Sequence, residues 1–384
     1  MNLERVIAIA YKEWREIVRD RLFLVLAFFV PSFMLLVFGY GLILDVENIP
    51  FCVVDYDRTP TSRDYIYRFI GSRYFDYKGD VEDEALLKPL FEASRIRFAL
   101  IIPEHFERDI RSGRATTVQS IIDGVFPFRS MTSKGYVLAM NAAFNTELLA
   151  DHLSKQMGIP RDRAEDRAQP VRVQIRYLYN QELKSTWSIS AAMIMFVLMV
   201  SPPFLTALGV VREKEFGSIY NIYCSTVTRG EFILGKLAPY VFISILNSVI
   251  LWVWTVFLFG TPFKGDPLFF FCSSAVYVIC TTGIGLLVSL IVRTQVAAMM
   301  VTVVLTVVPS VLYSGLFIPV SSMETVGQFQ AHLFPAMYFT DIVLGSFLKN
   351  VGVADLWDRV LALAIYAAVL WVISFMMFSK RPKS

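Results

Sequence analysis

Six stretches of this chain, 22–44, 187–211, 237–260, 268–292, 296–317 and 360–378, run without a single Asp, Glu, Lys, Arg or His. About 20 apolar residues, rising 1.5 Å each along a helix, cross the ~30 Å hydrocarbon layer of a bilayer. Lipid offers no water to unpaired backbone groups, so each stretch is predicted to be a helix. The implied fold class is an α-helical polytopic membrane protein with six transmembrane helices. A composition that is 55% apolar and 14% aromatic agrees. The first stretch is too long for the apolar core of a signal peptide and comes after a polar lead, so it is expected to remain as an anchor.

Lys and Arg in the short flanks set the orientation. Arg5, Lys12, Arg15, Arg19 and Arg21 precede the first span, Arg212, Lys214, Arg229 and Lys236 lie between the second and third, Arg293 separates the fourth and fifth, and Lys380, Arg381 and Lys383 close the chain. The opposite side offers Lys264, Lys349 and Arg359 in its short loops. Both termini are therefore predicted to be cytoplasmic. Residues 1–21 place Leu3, Val6, Ile7, Ala10, Trp14, Ile17 and Val18 on one helical face, opposite Lys12, Glu13 and Glu16, which reads as an amphipathic helix along the cytoplasmic interface. Residues 45–185 alternate β-rich runs (50–55, 97–102, 116–123, 171–179) with helical patterns (61–70, 82–93, 104–112, 129–157) and read as an α/β extracytoplasmic domain inserted between helices one and two. The remaining divisions are 186–211 (helix two), 212–236 (cytoplasmic loop), 237–319 (helices three to five), 320–358 (a re-entrant or interfacial segment), 359–379 (helix six) and 380–384 (tail).

Several chemistries lack the residues they need. The net charge is +3 and the basic residues are dispersed, so no nucleic-acid partner is expected. Cys52, Cys224, Cys272 and Cys280 fall in different predicted compartments, and His105, His152 and His332 are far apart, which leaves no metal-ligand spacing. The segment 230–237, GEFILGKL, matches the first seven positions of a phosphate-binding loop but puts Leu237 where Ser or Thr must bind magnesium. Thr228 and Glu231 read instead as a capping box opening a helix. Asp55 and Asp57 read as fixing the turn after a strand. No nucleophile with a matching base appears, so the chain is read as non-enzymatic, with no catalytic, cofactor or metal residues. Ion-coupled carriers keep ionisable groups inside the membrane; these spans hold no Asp, Glu, Lys, Arg or His, so the driving energy is expected to come from another subunit.

Directly after the second span stands REKEFGS, residues 212–218. The longer stretch around it, GVVREKEFGSIYNIYCSTVTRGEFILGKLAPYV (209–241), resembles the cytoplasmic loop of type-2 ATP-binding-cassette (ABC) exporter permeases. YSGLFIPVSSM (313–323), FPAMYF (334–339), the opening 11–41 and the segments 53–63 and 97–113 resemble other parts of the same family, in its long-ectodomain, multidrug-efflux-like branch. The resemblance implies a permease without its own ATPase domain, partnered by a cytoplasmic ABC ATPase that carries ATP and Mg. It also implies a second permease copy or a sister permease, a periplasmic adaptor protein, membrane lipid around the spans, and a place in a bacterial inner membrane with the large domain periplasmic. Amphipathic small molecules are the implied cargo.

On that resemblance, Arg212, Glu213, Lys214 and Glu215 orient a short coupling helix that docks on the ATPase, Gly217 bends the chain, Ser218 caps the helix, and Ile219, Tyr220 and Tyr223 supply apolar knobs. Pro202, Pro203 and Thr206 in span two and Pro309, Ser310 and Tyr313 in span five are expected along the translocation path, with the prolines breaking their helices. The competing reading is a membrane receptor or anchor whose ectodomain binds a ligand or partner without transport.

Overall fold

The computed structural model describes residues 2–42, 45–171, 173, 175–217 and 226–378, which form two compact units: Met1–Leu44 with Tyr177–Ser384, and Asp45–Arg176. The chain begins with α1 (Leu3–Arg19), capped by the Asn2 side chain, which accepts from the Glu4 amide. Its apolar ridge Leu3, Ile7, Tyr11, Trp14 and Val18 is uncovered, while Glu13 and Ile17 face inward. Asp20 ends α1 and caps α2 (Arg21–Gly41), where its carboxylate accepts from the Phe23 amide at 3.2 Å. Pro31 has no N–H to offer the Ala27 carbonyl four residues back; the helix widens to a π-turn over Val25–Phe29, and Asn247 Nδ2 donates to that carbonyl at 2.7 Å.

The second unit is α/β. Its elements are β1 (Ile49–Asp55), α3 (Pro60–Ile70), β2 (Phe75–Asp80), α4 (Leu87–Glu92), β3 (Phe98–Ile102), α5 (Phe106–Arg111), β4 (Gln119–Ile122), α6 (Pro127–Met157) and α7 (Arg161–Ala168). The sheet order is β2-β1-β3-β4, parallel except for the antiparallel β3–β4 pair. Alternation along β1 and β3 buries both faces: Phe51, Val53, Phe98 and Leu100 meet Phe69 and Phe144, while Cys52, Val54, Ala99 and Ile101 meet Leu87 and Ile96. Asp55 fixes the turn after β1 by accepting from the amides of Asp57 and Arg58 at 3.0 Å, and Asp57 accepts from the Glu107 amide at 3.0 Å, so the acidic pair is structural as expected. Two strand expectations change. FDYKGD forms β2 despite its polar residues because it pairs along β1 at the sheet edge, whereas the described residues of 171–179 form no strand and expose Val171, Val173 and Ile175.

The remaining elements are α8 (Ser185–Glu215), α9 (Arg229–Leu258), α10 (Pro267–Ile291), α11 (Gln295–Leu312), α12 (Thr325–His332), α13 (Pro335–Lys349) and α14 (Val353–Met377). Six helices, α2, α8, α9, α10, α11 and α14, are long and apolar enough to cross a membrane. The pair α12–α13 turns through 88°, and α13 packs among α8, α10 and α14; Tyr277 of α10 stacks on Phe339 at 4.0 Å. The axis of the bundle is α8, almost wholly buried by α2, α9, α10, α11 and α13. α10 reaches it through Gly285, where a Cβ would come within 2.3 Å of the Pro203 carbonyl oxygen. Small residues let helix backbones meet in this way where hydrophobicity gives no drive for helices to associate.

Candidate functional site

The charges 212–215 form the last turn of α8 rather than the start of a loop, and the helix stops where Gly217 takes a φ of 73° that glycine adopts freely. Side chains on one helical turn point in different directions, so the four charges reach four places. Arg212 pairs with Asp20 at the α1–α2 junction. Glu213 turns inward, 3.0 Å from Lys12 of α1 and 3.1 Å from Lys236 of α9. Lys214 donates to the Ser289 carbonyl near the C-terminal end of α10, where helix carbonyls lack amide partners. Glu215 accepts from the backbone and side-chain amides of Gln295 at 3.0 and 2.9 Å, a negative charge at the N-terminus of α11. One turn of α8 thus holds the near ends of α1, α2, α9, α10 and α11 together.

The centre of this junction is a buried ionic cluster. Lys236 is 2% exposed and contacts Glu13 at 2.5 Å as well as Glu213; Tyr240 donates to Glu13 from the next turn of α9. Room for the Tyr240 ring comes from Gly209, where a Cβ would stand 1.8 Å from the phenol oxygen. Burial raises the Glu13 carboxyl above its ordinary pKa, although Lys236 and Tyr240 oppose the shift. Lys12 is partly desolvated, which lowers its pKa, yet Glu213 and its neighbours raise it overall. The bond from Arg212 holds Asp20 below the usual carboxylate range. Glu13, Glu16 and Glu213 lie close enough to share a cation, but the ammonium groups of Lys12 and Lys236 already sit on all three. Removing one member of such a buried pair costs about 3–5 kcal/mol, because the other charge is stranded. Beside it, the capping box expected at the start of α9 is present: Glu231 accepts from the Thr228 amide at 2.8 Å, and the Thr228 hydroxyl accepts from the Glu231 amide at 3.4 Å. Glu231 also accepts from the Asn2 amide at 2.6 Å, which joins the start of α1 to α9.

Of the residues expected to meet an ATPase, Arg212, Glu213, Lys214, Glu215 and Gly217 are brought together here; Ser218, Ile219, Tyr220 and Tyr223 lie outside the described residues. Glu213 is 6% exposed and directed into the protein, while Phe216 is 72% exposed at the helix end. Along the expected path, Pro202 and Pro203 do not break α8, nor does Pro309 break α11; both helices continue through them. Bundle packing holds the shape that three missing amide donors would otherwise loosen. Thr206 is buried with its hydroxyl unpaired among the described residues, Ser310 donates to the Thr306 carbonyl at 2.6 Å, and Tyr313 lies just past α11, its ring 6.0 Å from that of Phe334. Glu13, Lys12 and Tyr240 are not among the site residues expected from sequence, where Lys236 figures as an orienting charge and as the false phosphate-loop lysine. Their one sequence signal is Lys236 itself, a charge at the mouth of an apolar helix.

The chain matches the ABC-2 family transporter protein family over residues 21–376, a span that takes in all of the second unit and most of the first. It belongs to that family. It is 30% identical over 356 residues to the probable multidrug ABC transporter permease YbhS of Escherichia coli K12, covering 91% of this chain and 90% of YbhS. It is 22% identical to the probable multidrug ABC transporter permease YbhR of the same strain, over 90% of each chain. To its inner membrane transport permease YhhJ the identity is 22%, over 99% of this chain and 98% of YhhJ. The protein is thus a multi-pass ABC-type permease, a transport subunit.

Proposed function

We propose that this permease is the membrane-spanning half of an ATP-driven exporter of amphipathic small molecules in a bacterial inner membrane, with ATP and Mg bound by a separate ABC ATPase. The carrying observation is membership of the ABC-2 family over nearly the whole chain. The absence of Asp, Glu, Lys, Arg and His from the six apolar stretches supports an external energy source. Both termini and the α8 junction face the cytoplasm in this reading, and residues 45–176 face the periplasm, open to an adaptor protein. The ATPase meets the chain beyond Phe216 and Gly217, and the α8 junction passes its movement to α1, α9, α10 and α11 together. A second permease, identical or a sister chain, packs on α11, whose ridge Val296, Met300, Val304, Val308 and Leu312 is uncovered at four-residue spacing. The path then runs beside Pro309, Ser310 and Tyr313 of that region and the prolines and Thr206 of α8.

Purification from its native membrane in mild detergent tests the reading. A nucleotide-hydrolysing chain is expected to co-purify, and Phe216→Asp is expected to release it while membrane insertion is kept. Recovery of the permease with no such chain, under conditions that preserve its oligomer, would count against the proposal.

A further inference from the structure

The α/β unit contains a cleft of about 840 Å³ between α6 and the segment 113–118 that leads into β4, a volume typical of small-molecule sites. Its floor is aromatic and rigid: Tyr65 meets Phe144 edge-on at 4.8 Å and Phe106 at 5.9 Å, and the Phe106 and Phe144 rings are nearly parallel at 6.4 Å. The wall from α6 continues this floor with Val137 and Leu148 and with Asn141, which accepts from the Tyr65 hydroxyl at 3.3 Å. The charged residues lining the cleft, among those described, are Arg114 and Lys134, one on each wall, with no carboxylate.

Both cations are available to a ligand. Lys134 is exposed and makes no ion pair among the described residues. The Arg114 guanidinium is 66% exposed and stands 3.8 Å from Asp109, a loose surface contact that water largely screens. An apolar body would lie along Leu138 and Leu148 on the α6 wall, above the narrow edges of Tyr65, Phe106 and Phe144 that the core leaves open. An acidic head would lie between the guanidinium and the ammonium, which bind carboxylate or sulfonate by charge-assisted hydrogen bonds. A cationic amphiphile of the same shape would meet two like charges.

We propose that this cleft binds amphipathic organic anions. The proposal goes beyond the transport reading and does not depend on it, since binding here needs neither ATP nor a partner chain.

The full-length protein in lipid nanodiscs is exposed to a photoreactive C12 fatty carboxylate carrying a diazirine, and to the matching primary amide and amine, and labelled peptides are located by mass spectrometry. The carboxylate is expected to label peptides from 113–118 and 134–148, with sodium taurocholate competing. Charge reversal at Arg114→Glu and Lys134→Glu should lower that labelling tenfold or more; both side chains are exposed, so the unit keeps its core. The neutral pair Arg114→Gln and Lys134→Gln should give a smaller drop in the same direction. Equal labelling by the amine, labelling indifferent to both variant pairs, or labelling confined to the membrane helices would each overturn the assignment. None of these readouts involves ATP hydrolysis or efflux, so they stand apart from the test of transport.

Discussion

Lys236 contacts two carboxylates, each from a different helix, while its own backbone belongs to a third. Lys236→Met should strand Glu13, while Glu213 keeps Lys12, and lower stability by about 3–5 kcal/mol. Lys236→Arg keeps the charge but enlarges the head, so it should lie between that variant and the parent. Thermal unfolding in detergent, read from tryptophan fluorescence, checks the order; a Lys236→Met protein as stable as the parent would mean that the cluster holds nothing together. The same residue marks where sequence reading ends. The Thr228–Glu231 capping box and the Asp55 turn are local, three residues or fewer from donor to acceptor, and both are legible from spacing. Lys236 and Glu13 are 223 positions apart, and on α1 alone Glu13 is one more residue of a polar face.

At the scale of elements, periodicity and length locate all six long apolar helices, while their ends depend on neighbours. α8 outlasts its apolar stretch by one charged turn because each charge finds a partner. α11 ends at Leu312, earlier than expected, shortly after Pro309, and the next segment turns with Gly315 at a φ of 81°. The expected strand at 171–179 has the β-branched alternation of a strand, but pairing is decided by which edge is free, a matter no single segment contains. The uncovered α11 ridge yields its own prediction. If it is the seam between two permeases, single cysteines replacing Met300 or Val304 should form disulfide-linked dimers in native membranes, whereas cysteine at Ile365 of α14 should not. Comparable cross-linking at both helices would assign the ridge to lipid.

For the whole molecule, acid acts through the carboxyls that folding holds low, and both units contain them. In the α/β unit, a backbone bond from Val125 and the Arg97 guanidinium hold Asp123 below its ordinary pKa, and Arg68 and Arg161, at 2.6 and 2.7 Å, do the same for Glu147. Carboxyls lowered by folding contribute stability that is complete above their unfolded values, about 4, and is lost as pH falls through the folded ones. Hydrogen exchange of β1 and β3, corrected for the intrinsic pH dependence, should therefore stay flat from pH 7 to 5 and quicken below 4. Protection that persists unchanged to pH 3, or fails above 5, would contradict this.

The contact of Gly285 with Pro203 bears on how such a chain can diverge. Most core positions can drift in pairs, a larger side chain on one helix offset by a smaller one opposite. At position 285 the opposing atoms are main chain, present whatever residue occupies 203, so no partner change can make room for a methyl group. The closeness of α8 and α10 is therefore a property of one residue, and that residue has no second allele.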